Sequence, residues 1–123
     1  MTYIKINDTL YPATVNGKMV DRDWDDRESK AITLEMDYEV ASILFVDGVK
    51  WSIVEQNEIL VYEQDENGEP VQTGTETQET IYDNSDFIIA GDITDHRDGT
   101  MTVKMGKLTE LEEAYEILLG GVL

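Results

Sequence analysis

Residues 31–53 read AITLEMDYEVASILFVDGVKWSI, and this run sets the fold class. From Ala31 to Met36 apolar and polar residues alternate, with Ile32 and Thr33 β-branched, which is the period of a half-buried strand. Asp37 then stands as a helix N-cap, its carboxylate placed for the free amides of a first turn. Val40, Ala41, Leu44 and Phe45 recur at helical spacing, and Asp47-Gly48 stops the helix. Val49, Trp51 and Ile53 resume the two-residue period, so Trp51 belongs to the core. The unit is strand, short helix, strand.

Toward the N-terminus, Tyr3–Ile6 reads as a short strand ending in a turn at Asn7-Asp8. Thr9–Val15 is a second strand, and Pro12 points to an edge position because proline donates nothing to a ladder. Asn16-Gly17 predicts a type I′ hairpin turn, with Lys18–Val20 returning antiparallel. Asp21–Lys30 is a charged loop around Trp24.

Toward the C-terminus, Glu58–Gln64 reads as a strand and Asp65–Pro70 as a turn. Val71–Thr80 is polar, rich in Thr, Gln and Glu, with almost nothing to bury. It is either the long exposed strand of a protruding hairpin or partly disordered. Ile81-Tyr82 and Phe87–Ala90 return to the core, and Asp98-Gly99 is a second hairpin turn before the strand Thr100–Met105. Thr109-Glu110-Leu111-Glu112 is a capping box. Leu111, Ala114, Tyr115, Leu118 and Leu119 form one apolar stripe expected to pack on the sheet, and Gly120-Gly121 closes the helix. The expected fold is α+β: a mainly antiparallel β-sheet with one short internal helix and a C-terminal helix, residues 1–123 forming a single domain.

Charge is the extreme property. Twenty-seven Asp and Glu stand against nine Lys and Arg, a net charge of -18. Such a surface repels nucleic acid and anionic membranes and attracts basic partners. Its distribution is uneven: no Lys or Arg occurs from Trp51 to His96, where twelve acids fall. A surface that serves solubility alone intersperses both signs, whereas a block of one sign marks an interaction surface or a mobile segment. Cysteine is absent, so disulfides, thiolate metal sites and cysteine nucleophiles are excluded. No apolar run approaches the ~20 residues that span a bilayer. The first residues carry no basic segment followed by an apolar one, which points to the cytoplasm of the cell that makes the protein.

The residues that could carry chemistry fall short of it. Asp21, Asp23 and Asp25 have the alternation of a calcium loop, but Asp26 stands where glycine is needed and Ile32 where a bidentate Glu is needed. Glu63, Asp65, Asn67 and Gly68 come closer, yet that loop opens on Glu and ends on Gly74. His96-Arg97-Asp98 lacks the glycine-rich loop and strand lysine of a kinase. As a general base, His96 needs an orienting carboxylate in a pocket, for which Asp92 or Asp95 is placed. The plainer reading is a histidine beside a turn, paired with neighbouring carboxylates. No phosphate-binding glycine loop is present. The expectation is a protein with no catalytic residues, no cofactor and no metal.

Trp24 lies among Asp21, Arg22, Asp23, Asp25, Asp26 and Arg27. It is either a lid folded back on the core or an exposed contact anchor of the kind enriched in interface hot spots. With it, Glu63, Asp65, Glu66, Glu69, Glu76 and Glu79 are the candidate partner-binding residues. The expected partner is a protein with a basic surface. Direct nucleic-acid binding and membrane binding are not expected, and self-association is compatible with the reading.

Three blocks carry a likeness: Asp23–Leu34, Phe45–Ile53 and Ala90–Gly99 continuing to Lys107. They resemble small uncharacterised proteins encoded in phages and prophages of Gram-positive bacteria. The resemblance implies a context and no residue roles. It implies a virion component, most simply tail-associated and structural or accessory, located in the host cytoplasm or the virion. The alternative is an acidic anti-defence inhibitor, analogous to anti-CRISPR proteins, that mimics nucleic acid on a basic host protein.

Overall fold

Asn7 and Asp8 sit at φ 52° and 65°, the paired left-handed residues of a type I′ turn. They fold strand β1 (Thr2–Ile6) back on strand β2 (Thr9–Asp21). Asn16-Gly17, expected to be a turn, instead lies inside β2, opposite Ala31 and Lys30. The tight turn is already made at Asn7-Asp8, and the chain next reverses at residues 22–26, where Asp25 and Asp26 take positive φ. Pro12 is likewise not on a sheet edge. Pairing with β1 ends at Pro12 and pairing with strand β3 (Arg27–Glu35) begins at Ala13, so the proline stands where the ladder changes neighbours.

The computed structural model describes residues 1–120. After β3 come helix α1 (Tyr38–Leu44), strands β4 (Ser52–Gln64), β5 (Pro70–Asp83), β6 (Ile89–Asp95) and β7 (Thr100–Gly106), and helix α2 (Glu110–Gly120). The seven strands form one antiparallel sheet in the order β5-β4-β1-β2-β3-β7-β6. This is the α+β architecture of the sequence reading, with its internal and C-terminal helices.

The register explains the core. Val15, Ile32, Val103 and Ile93 stand side by side across β2, β3, β7 and β6, and Tyr11, Ile4 and Ile53 do so across β2, β1 and β4. Each row puts apolar side chains on one face because side chains alternate along a strand. α1 and its C-cap residue cover that face through buried Ala41 and Phe45. Asp37 occupies the N-cap position, but its carboxylate makes no capping bond; only its carbonyl accepts the Ala41 amide at 2.9 Å. Val40 of the expected apolar set is exposed. Trp51 is buried as expected, its indole N–H donating to the Phe87 carbonyl at 3.0 Å, with the two rings edge to face at 6.3 Å.

The C-terminal helix departs from expectation. Leu111, Tyr115, Leu118 and Leu119 are 62–81% exposed, so the stripe does not pack on the sheet. The core face is already covered by α1, Trp51 and Phe87. α2 is tied to the sheet through its first turn, with Arg27 donating to Glu112 and to the Lys107 carbonyl. The capping box itself is present: Thr109 N–H donates to Glu112 at 2.9 Å and Glu112 N–H to Thr109 Oγ1 at 3.2 Å. Gly121, expected to help end the helix, lies outside the described residues. No helix among the described residues is long and apolar enough to cross a membrane.

Candidate functional site

β4 pairs with β1 only over Ser52–Glu55, whereas β4 and β5 stay paired from Ser52 and Asp83 out to Gln64 and Pro70. Beyond Gln56 the hairpin is therefore a two-stranded ribbon with no third strand beside it among the described residues. At ~3.3 Å per residue it projects roughly 25 Å. Residues 71–80 are strand throughout, and every residue of β5 is exposed. A bulge between Val61 and Tyr62 leaves Thr73 without an opposite number and sharpens the local twist.

The register distributes the candidate acids. Glu63 opposes Val71 and Glu76 opposes Ile59, which puts both carboxylates on one face with Val61 and Asn57. Glu79 opposes Gln56 on the other face, beside Glu58, Leu60 and Tyr62, and accepts the Gln56 amide at 2.9 Å. Asp65, Glu66 and Glu69 form the tip. Asp65 shapes it, accepting the backbone N–H of Asn67 at 2.8 Å and of Glu69 at 2.9 Å, while Gly68 supplies a φ of 76°. The acids wrap the ribbon and do not form one flat patch.

Among the described residues no cation pairs with them. The ion pairs among the described residues are Lys18–Asp21, Arg27–Asp25, Arg27–Glu112, Lys104–Asp21 and Lys107–Glu28, all outside residues 51–96. All five pairs thus lie on the β2, β3 and β7 side, and none involves a ribbon carboxylate.

Trp24 belongs to the first half. Its ring lies on Gly91 of β6 and Gly106 of β7, so close that a Cβ at either would fall 2.7 or 2.9 Å from ring carbons. The Arg27 guanidinium sits 4.7 Å from the ring centroid and Lys104 Nζ 5.8 Å. The ring is half-buried, folded back on the sheet. Beneath it Asp21 is fully buried, accepting Lys104 at 2.7 Å and Ser29 Oγ at 3.1 Å. The Lys104 bond holds the Asp21 carboxyl below its ordinary value, against the opposing pull of burial. Trp24 and the ribbon acids stand at opposite ends of the strand order, and the structure does not bring them together.

His96 Nε2 shares a hydrogen bond with Thr102 Oγ1 at 2.7 Å, and Thr102 Oγ1 shares another with Thr33 Oγ1 at 2.9 Å. Its partner is a hydroxyl in place of the expected carboxylate. Among the described residues no three His, Asp or Glu side chains converge as metal ligands would. Sequence reasoning missed the exposed α2 stripe and the apolar Leu60, Tyr62 and Val71 near the ribbon tip. It also missed the seat of Trp24, whose signal was a glycine inside each of two strands.

Fold and site together define a class: an antiparallel α+β sheet protein carrying a projecting acidic ribbon. No family model, no curated protein and no solved structure matches the chain.

Proposed function

We propose that the protein is a non-catalytic docking module whose β4–β5 ribbon engages a basic protein surface, acting as a phage-type virion protein, tail-associated and structural or accessory. The observation that carries this reading is a ribbon whose carboxylates form no ion pair among the described residues, with β5 as an exposed edge strand. Exposed strand edges recruit partners by adding a strand, and the apolar Leu60, Tyr62 and Val71 near the tip supply contacts that persist in salt.

A second reading rests on the same lack of ion pairs: an inhibitor whose ribbon stands in for phosphate on a nucleic-acid-binding protein. Salt separates the two. Binding to the isolated partner is measured between about 0.05 and 0.5 M salt, with duplex DNA or RNA as competitor. The docking reading expects affinity that survives the high end without competition. Loss by orders of magnitude, with competition, establishes the mimic, because replaced phosphate contacts are steeply salt-dependent.

A further inference from the structure

Helix α2 offers a second surface, independent of the ribbon. At 100° per residue, Leu111, Ala114, Tyr115, Leu118 and Leu119 lie along one side. They form an i, i+4, i+7 seam of the kind that pairs two helices. The large members of the seam are more than three-fifths exposed. An 11-residue helix is marginal in water without packing, yet this one is anchored at its first turn. Glu112 closes the capping box and holds Arg27 with both oxygens, at 2.7 and 3.2 Å.

The charges beside the seam say what covers it. Glu110 borders it on one side and Glu116 lies past Leu119 on the other, Glu112 being held by Arg27; Glu113 and the exposed Ile117 occupy the back, and no Lys or Arg occurs in the helix. A second copy would set glutamates against glutamates, on bodies that already carry -18 each. Flanking charges of this kind select a partner of opposite sign and reject self-pairing. Anionic lipid is rejected on the same ground.

We infer that α2 docks a basic amphipathic helix of another protein, seating its apolar side along Leu111, Tyr115 and Leu118 with lysines or arginines against Glu110 and Glu116. The inference stands apart from the ribbon's role and fails separately from it.

The test uses the full chain and a synthetic amphipathic Leu/Lys helix as probe, with a Leu/Glu helix of the same pattern as control. The Leu/Lys helix binds wild type and the ribbon variant (Glu63, Glu66, Glu69, Glu76 and Glu79→Gln) alike, and the Leu/Glu helix binds neither. The double variant Leu111→Gln, Leu118→Gln weakens binding about tenfold or more, while its melting temperature stays at the wild-type value. Binding that ignores the double variant, or that is lost in the ribbon variant, reduces the effect to diffuse charge and overturns the inference. A melting temperature several degrees lower in the double variant shows the seam packed on its own body and overturns it too. A wild-type dimer that the double variant dissociates, seen by sedimentation, makes the occupant a second copy and likewise overturns it.

Discussion

Glu112 grips Arg27 with both carboxylate oxygens while its Oε1 also accepts the Thr109 amide, so one side chain joins the sheet to the C-terminal helix. Arg27 is 5% exposed, and its Nε has no partner. Glu112→Gln removes the charge from three bonds at once and leaves a buried guanidinium less satisfied. The expected cost is about 1–2 kcal/mol, since bonds to charged groups contribute more than neutral ones. It is read as a lower melting temperature together with loss of helical circular dichroism from α2. A helix signal that survives intact contradicts the joint.

Acid should loosen the same region. The Arg27 bond holds the Glu112 carboxyl below its ordinary 4.5, and the Lys104 bond holds Asp21 below 3.8. A folded value below the unfolded one gives stability that is present above the unfolded value and lost as pH falls through the folded one. Asp21→Asn is therefore less stable than wild type at pH 7, by several degrees in melting temperature. The gap closes as the pH falls below 3.8. A gap that stays constant across that range excludes Asp21 as the titrating group.

The seat of Trp24 is tested by filling it. An added methyl at Gly106 meets Arg27 Cδ at 2.6 Å and Trp24 Cζ3 at 2.9 Å, so Gly106→Ala costs about 1–3 kcal/mol through overpacking and red-shifts Trp24 emission. Combining it with Trp24→Ala leaves less to clash, and the two effects fall short of additive. Strict additivity places the ring elsewhere.

Buried and exposed leucine-sized side chains should answer differently to truncation. Ile32, fully buried between Val15 and Val103, costs about 2–5 kcal/mol on Ile32→Ala. Leu118→Ala, at 67% exposure, leaves chemical denaturation almost unmoved. Equal losses from the two would return α2 to the core.

How far the residues announced this structure depends on whether a signal was local. Ala31–Met36, Trp51 and the capping box at Thr109 are legible because their neighbours within a few positions complete the physics. Asn16-Gly17 carries as strong a turn signal as any in the chain, yet long-range pairing with Ala31 and Lys30 overrides it. The stripe from Leu111 to Leu119 has the period of a packed helix, but periodicity states that a face is apolar and not what covers it. The ribbon was visible as a base-free run; that its acids wrap both faces depends on a register and a bulge that no local pattern fixes.

The ribbon as docking surface is the central claim, and paired capture tests it most directly. Wild type and the variant with Glu63, Glu66, Glu69, Glu76 and Glu79→Gln are tagged and purified in parallel from cells producing the protein in its native context. Co-purifying proteins are then quantified at low salt. The variant should fold, with a melting temperature equal to or slightly above wild type as repulsion falls. The account predicts a basic protein enriched by wild type and strongly depleted with the variant. Equal enrichment by both, from two equally folded proteins, contradicts it and leaves the acidic ribbon a device of solubility alone.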